Sequence, residues 1–231
     1  NHLIYYPNNE YYYPPLYFWL SAALVKFFLL FKTMPTTLEQ AHLTFYLPLR
    51  FVSLIFSSVS LMLIWKILDK FKLEKAIKIS TFTFILFLPT FANFSIYLGH
   101  NILLFFLLTM FTYLISKDGW QLNNYKMASI LGIIFGLAIL TKFDAIIIFP
   151  AFIIFLLISK KKDQLVNFLA IFLLCTLITG GWWYIANYIN LGWFYNREIF
   201  TASLSTFNPP FSIEYYTANV IGSALITFFA T

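Results

Sequence analysis

The sequence predicts an all-α protein, a polytopic bundle of transmembrane helices. Hydrophobic residues make up 61% of the 231 residues, charged residues make up only 10%, and the mean hydropathy is +0.79. Soluble domains contain roughly 45–50% apolar and about 25% charged residues, so the composition excludes a soluble globular domain. The single cysteine, Cys175, permits neither an internal disulfide nor a cysteine metal cluster.

Apolar stretches of near-spanning length recur along the chain. A helix needs roughly 17–25 apolar residues to cross a bilayer core. Six stretches meet or approach this length, namely 44–65, 79–98, 102–116, 127–141, 143–159 and 165–185. Pro89 lies inside the second stretch and can kink it. Gly180 and Gly181, in the sixth, allow either close helix packing or a bend.

These stretches define a plan for a single transmembrane module, residues 1–231. We expect an outer loop with an interfacial helix, six transmembrane helices, a second outer loop and a truncated last span. These four parts cover 1–43, 44–185, 186–216 and 217–231. Because the chain begins with Asn1 rather than a methionine and ends inside an apolar run, we expect a fragment of a longer membrane protein.

The basic residues assign the two sides of the membrane. Ten of the 15 lie in the connections that follow the first, third and fifth spans. They are Lys66, Lys70, Lys72, Lys75, Lys78, Lys117, Lys126, Lys160, Lys161 and Lys162. Positive charge collects on the cytoplasmic side of membrane proteins, so this face is predicted to be cytoplasmic. The net charge of +6 then reflects topology and not a nucleic-acid partner.

The segment 14–32 has two interpretations. It is long enough to span the bilayer, but Lys26 lies within it and Lys32 ends it, so it could also lie in the membrane interface. If the segment spans, the tyrosine-rich start of the chain is cytoplasmic. If it lies flat, that start shares the outer face with Lys142 and Arg197.

Two outer-face cations are candidate phosphate ligands. Lys142 stands between two spans with almost no loop, which places its ammonium close to the membrane surface. Arg197 lies in the long outer loop, and a guanidinium can bind a phosphate through two N–H groups. Each also has a simpler interpretation. Lys142 could pair with Asp144 or a lipid headgroup, and Arg197 could belong to an exposed charge pair.

Four further side chains are candidates for acid/base chemistry or metal binding. They are His2, Glu10, His42 and His100. Their spacing defines no metal site, so we assign no metal ligand and leave a divalent metal ion open as a cofactor. The simpler interpretation is loop polarity, with Asn101 capping the helix that starts nearby.

Four motifs, taken in order, resemble a known superfamily. They are YYPPLYFW (Tyr12–Trp19), LPLR (Leu47–Arg50), GLAILTK (Gly136–Lys142) and GWWYIAN (Gly181–Asn187). The series covers most of the chain and resembles the GT-C integral membrane glycosyltransferases. The resemblance is in particular to the branch of the dolichyl-phosphate-mannose protein mannosyltransferases and aminoarabinose transferases.

The resemblance implies a mechanism. Enzymes of this type use a polyprenyl-phosphate sugar as donor, invert the anomeric centre, and use a carboxylate on the first outer loop as base or acceptor-positioning group. An acceptor hydroxyl needs a general base, and the departing lipid phosphate needs cationic stabilisation. By this resemblance Lys142 and Arg197 contact the donor phosphate, and segment 14–32 is an interfacial outer helix.

The same resemblance supplies the remaining site residues. Glu10 is the catalytic candidate within the chain, although the main catalytic acid is expected upstream of Asn1, and the fragment is expected to be inactive alone. The substrate-binding candidates are Tyr12, Tyr13, His100, Asn101, Lys142 and Arg197.

The chain departs from the family pattern at three places. Tyr13 stands where His or Lys is frequent, His100-Asn101 stands where an aspartate is common, and Ala186 replaces an arginine. Donor and acceptor contacts at these positions are therefore open.

The predicted function is transfer of a sugar from a polyprenyl-phosphate donor to an acceptor hydroxyl on the outer face of a prokaryotic plasma membrane. The expected partners are that donor, membrane lipid, and a lipid, glycan or protein acceptor, without nucleic acid. The alternative is a polytopic transporter or lipid flippase subunit, and a non-catalytic scaffold is the third interpretation. A transporter would carry ionisable residues near the middle of its spans, whereas Arg50, Lys142 and Asp144 lie near span ends.

Overall fold

The chain folds as a bundle of helices. The computed structural model describes residues 14–30, 47–96, 99–116, 125–159 and 162–191, and within these ranges it contains no strand. The helices are α1 (Leu16–Leu29), α2 (Leu47–Lys70), α3 (Lys75–Leu86), α4 (Pro89–Ile96), α5 (His100–Ser116), α6 (Tyr125–Thr141), a 3₁₀ turn (Phe143–Ile147), α7 (Ile148–Ser159), α8 (Lys162–Thr176), a π-helical turn (Leu177–Gly181) and α9 (Trp182–Leu191). The predicted all-α class is confirmed.

Helix lengths bear on which segments cross the membrane. In the described ranges, Pro48–Lys70 and Leu165–Ile189 are long and apolar enough to cross, and Lys75–Leu86 with Pro89–Ser95 would make a third span if the bent pair crosses as one. The shorter apolar helices are Leu16–Phe27, His100–Ser116, Tyr125–Thr141 and Phe143–Ile158. Within the described residues each of the six predicted spans overlaps one or two helices, and the number of crossings stays a prediction.

A bend of 57° separates α3 from α4. Pro89 is the first residue of α4, a position at which its missing N–H is not needed. The end of α3 is closed by backbone hydrogen bonds from Phe87 N to Thr83 O (3.0 Å) and from Leu88 N to Ile85 O (3.3 Å). The kink that Pro89 predicts is therefore present.

Contacts along α2 and α5 show that these two helices run in the same direction. The ring of Phe56 stacks on that of Phe106 with 5.1 Å between centroids. Further along both helices, the Lys66 ammonium lies 5.9 Å from the centre of the Tyr113 ring. The lysine-rich turn after α2 therefore lies at the end of the bundle where α5 ends.

Helix α6 runs in the opposite direction to α5. Phe111 and Phe135 have ring centroids 5.6 Å apart near the middle of the pair. Asn101, at the start of α5, contacts Lys142, just after the end of α6. We call the end with Asn101 and Lys142 the site end, and the opposite end, with the turn after α2, the lysine end.

Helix α6 forms the centre of the bundle and packs between α5 and α8. Phenylalanines from four elements meet beside it, namely Phe111, Phe135, Phe152 and Phe172, each at most 5% exposed. The rings of Phe111 and Phe152 meet edge to face at 5.0 Å, a geometry that aromatic rings favour.

Glycines bring α6 into backbone contact with α8 and with the π-helical turn that follows it. A Cβ on Gly132 would collide with the Phe172 carbonyl, and a Cβ on Gly180 would collide with the Gly136 carbonyl. Thr176 Oγ1 lies 2.8 Å from the Phe172 carbonyl oxygen and 3.2 Å from that of Gly132, so its hydroxyl also donates across the contact. Small residues and interhelical hydrogen bonds are what hold helices together in lipid. Of the two roles open for Gly180, close packing is present.

The outward surface of the bundle is apolar. Large hydrophobic side chains face outward on several helices, for example Ile158 (81% exposed) and Ile189 (75% exposed). Such a surface is unfavourable in water and suits contact with lipid chains. The surface therefore fits an all-α membrane protein.

Helix α9 continues to Leu191, six residues past the predicted end of the sixth span at 185. The sequence Trp182–Leu191 contains no glycine or proline, so nothing in it stops the helix.

The glycine contact predicts a selective loss of stability. Gly180→Ala should lower the free energy of unfolding by about 1–3 kcal/mol because its Cβ overpacks the α6 backbone, which thermal unfolding in detergent measures. Gly99→Ala is the matched control, since a Cβ there meets nothing within 4 Å. Equal stability of the two variants would contradict this packing.

Candidate functional site

The end of α6 fixes where Lys142 lies. Thr141, the last residue of α6, is fully buried and donates its hydroxyl to the Leu137 carbonyl (2.8 Å). Lys142 then adopts an extended backbone, with φ −160° and ψ 135°, before the 3₁₀ turn begins. Its own N–H still donates to the Ala138 carbonyl (3.0 Å). This change of backbone direction carries the lysine out of the helix at the site end.

Two oxygen atoms from different elements contact the Lys142 ammonium. Its Nζ lies 2.8 Å from Asp144 Oδ2 and 3.3 Å from Asn101 Oδ1. The side chain of Lys142 is 26% exposed and that of Asp144 is 54% exposed. An ammonium has three N–H donors, so these contacts leave one donor for a further acceptor.

His100 lies beside this group, at the start of α5 and ahead of the apolar stretch 102–116. Burial, and secondly the positive charge of Lys142, lower the pKa of the His100 imidazole, while Asp144 opposes the shift. The ring is consequently neutral at pH 7, with one nitrogen as donor and the other as acceptor. It adds hydrogen-bonding capacity without adding charge.

Tyr184 attaches α9 to the end of α6. Its hydroxyl donates to the Ile139 carbonyl (2.8 Å), and the side chain is buried. The Ile139 carbonyl belongs to the last turn of α6, where helix carbonyls lack a partner within the helix. The Tyr184 ring also contacts Phe143, with 5.5 Å between centroids. Tyr184 thus holds the backbone on both sides of Lys142.

The start of α1 packs at the same end. Pro14 and Pro15 are buried, and Tyr17 packs against the core. Trp19 stacks on Trp182, with centroids 5.9 Å apart and rings 8° from parallel. Because Trp182 is two residues from Tyr184, the first turn of α1 lies at the site end.

The structure brings together His100, Asn101 and Lys142 among the residues predicted for the site. Glu10, Tyr12, Tyr13 and Arg197, together with His2 and His42, lie outside the described residues. The pairing of Lys142 with Asp144, one of two interpretations open from the sequence, is present. The Asn101 contact joins residues 41 positions apart and carried no signal in the sequence. Asn101 is the second residue of α5, so it does not precede that helix as a cap would.

No group of three or more His, Cys, Asp or Glu side chains in the described ranges could hold a metal ion. The described group is instead an ammonium with one neutral and one acidic oxygen partner.

Comparison with known protein families bears on this geometry. The model of the dolichyl-phosphate-mannose-protein mannosyltransferase family matches residues 13–184, about three quarters of the chain. The chain belongs to this family. The match extends from the residue before Pro14 to Tyr184, so it includes α1, the Lys142 group and the start of α9. No curated protein sequence and no solved structure matches the chain significantly.

Membership makes the chain a membrane glycosyltransferase of the GT-C type. The resemblance seen in the sequence motifs is thereby confirmed.

The attachment of α9 to α6 predicts a stability change. Tyr184→Phe should lower the free energy of unfolding by about 1–3 kcal/mol, because the buried Ile139 carbonyl loses a donor. Tyr125→Phe, at a tyrosine that is 54% exposed, is the control and should have little effect. Thermal unfolding of both variants in the same detergent tests this, and a Tyr184→Phe variant as stable as the control would disprove the role of the hydroxyl.

Proposed function

We propose that the chain transfers a sugar from a polyprenyl-phosphate donor to an acceptor hydroxyl on the extracytoplasmic face of a prokaryotic plasma membrane. The observation that carries this proposal is the Lys142 ammonium, held by Asn101 at the site end. We expect this ammonium to lie close to the membrane surface. A cation there suits a phosphate that its lipid chain keeps at the depth of the headgroups.

The proposed reaction is an inverting displacement. The acceptor oxygen attacks the anomeric carbon on the side opposite the phosphate, and the bond from that carbon to the phosphate oxygen breaks. The acceptor proton passes to a carboxylate, and the lipid phosphate leaves with the bonding electron pair. Lys142 would stabilise the negative charge that grows on the phosphate.

The remaining roles follow from the same proposal. Glu10 is the candidate carboxylate within the chain, and Arg197 would supply a second positive charge to the phosphate. Tyr12, Tyr13, His100 and Asn101 would contact donor or acceptor. The acceptor is a lipid, glycan or protein, a divalent metal ion stays open as a cofactor, and no role is assigned to nucleic acid.

The extracytoplasmic placement is supported by the distribution of charge. At the lysine end, the turn between α2 and α3 carries Lys72 and is flanked by Lys70, the last residue of α2, and Lys75, the first residue of α3. The positive-inside rule assigns such a turn to the cytoplasm, which leaves Lys142 on the opposite face.

The transporter alternative receives less support. A transport path is expected to place ionisable groups near the middle of the spans. In α2, α5 and α6 the charged residues are Arg50, Lys66, Asp69, Lys70 and Lys126, all near helix ends.

Replacement of Lys142 tests the proposed role. Lys142→Ala in the full-length protein should reduce sugar transfer by about a hundredfold or more, the usual effect of losing one stabilising donor. Lys142→Arg should retain part of the activity because it keeps the positive charge. The measurement is transfer from a radiolabelled polyprenyl-phosphate sugar in membranes with matched protein levels.

The control for this experiment is Lys126→Ala, which removes an exposed lysine from the lysine end of the same helix. It should leave transfer unchanged. Full activity of Lys142→Ala would remove Lys142 from the mechanism.

Thiol labelling tests the side of the membrane. In a Cys175→Ser background, a cysteine at Asn190, just past the stretch Leu165–Ile189, should react with a membrane-impermeant maleimide in right-side-out vesicles. A cysteine at Lys75, the first residue of α3, should react only after permeabilisation. The reverse pattern would place Lys142 on the cytoplasmic face and exclude the proposed orientation.

A further inference from the structure

Asp144 and Asn101 contact the same ammonium but differ in charge and in freedom to move. Asp144 lies in the short 3₁₀ turn after Lys142, and its side chain is 54% exposed. Asn101 is neutral and belongs to α5, a separate helix of 17 residues. Lys142 itself is only 26% exposed. Because the Asp144 carboxylate is already about half exposed, it can leave the ammonium with little change in its own hydration.

A phosphate and a carboxylate compete for this ammonium. Two anions that contact one Nζ lie within a few ångströms of each other and repel. Asn101 does not repel a phosphate, because its side-chain amide is uncharged and the NH₂ group of that amide can donate to a phosphate oxygen. A phosphate that binds Lys142 is thus compatible with Asn101 and unfavourable beside Asp144.

We propose that Asp144 is the anion that the donor phosphate displaces from Lys142, while Asn101 keeps its contact with the ammonium. This inference rests on the proposed function, because it takes the donor phosphate as the ligand of Lys142. It assigns Asp144 a role in setting the affinity for the donor: the carboxylate weakens binding and sharpens selection for ligands that carry enough charge to replace it.

The sign of the effect distinguishes this role from an ordinary positioning role. If Asp144 only oriented Lys142 towards the phosphate, removal of its charge would weaken binding. If the phosphate displaces Asp144, removal of its charge strengthens binding. The gain should be about two- to fivefold in the dissociation constant, which corresponds to the usual strength of a half-exposed ion pair.

Binding of farnesyl phosphate measures this effect without requiring catalysis. The full-length protein in lipid nanodiscs is titrated with farnesyl phosphate, and farnesol serves as the uncharged probe. Asp144→Asn should bind farnesyl phosphate about two- to fivefold more tightly than the unchanged chain, and Asp144→Glu, which keeps the charge, should bind like the unchanged chain. The affinity for farnesol should be the same in all variants.

The chain offers a matched control in Asp69. This residue forms an ion pair with Lys78 at the lysine end and is 53% exposed, almost the same as Asp144. Asp69→Asn should leave the affinity for farnesyl phosphate unchanged. A gain in this variant equal to that of Asp144→Asn would attribute the effect to net charge and overturn the inference.

Lys142→Ala separates failure of the inference from failure of the proposed function. If Lys142→Ala loses binding of farnesyl phosphate but Asp144→Asn binds no more tightly than the unchanged chain, displacement is wrong and the phosphate role of Lys142 stands. If Lys142→Ala binds like the unchanged chain, the phosphate role of Lys142 is wrong, and the role of Asp144 is wrong with it.

Discussion

The backbone contact between Gly136 and Gly180 is the constraint on which the geometry of the site depends. In lipid, burial of apolar side chains gives little drive for two helices to associate, so close packing and hydrogen bonds must hold them. The glycines allow α6 to approach the π-helical turn closely enough for Thr176 and Tyr184 to donate to α6 carbonyls. Those bonds fix how α9 lies against the end of α6, and hence what surrounds Lys142.

The π-helical turn has a geometric reason. From α8 to α9, the buried residues that pack along α6 recur every four positions. They are Phe168, Phe172, Thr176, Gly180 and Tyr184. An α-helix turns about 100° per residue, so each step of four moves such a stripe about 40° around the axis. The wider turn at Leu177–Gly181 takes up an extra residue and returns the stripe towards α6. Without it, Tyr184 would face away from Ile139.

The helices could be predicted from local features of the sequence, whereas the contacts between helices could not. Apolar length, Pro89 and the lysine-rich turns act within one segment or its neighbour, so they can be read directly from the sequence. The rotation of each helix about its axis could not be predicted, because these helices are apolar on every side and show no polar stripe. For that reason the pairing of Lys142 with Asp144, two residues away in the sequence, could be predicted. The contact with Asn101, 41 residues away, could not.

The lysine side chains at the two ends of the bundle have different surroundings. At the lysine end, Lys78 pairs with Asp69 and also lies over the Trp65 ring, 3.5 Å from its centre, so its charge is engaged on two sides. At the site end, Lys142 follows the fully buried Thr141 but is itself 26% exposed, twice the 13% of Lys78. The Lys142 ammonium is therefore more accessible to a phosphate than that of Lys78, which is covered on two sides. The proposed donor phosphate therefore meets, at the site end, a cation that it can reach.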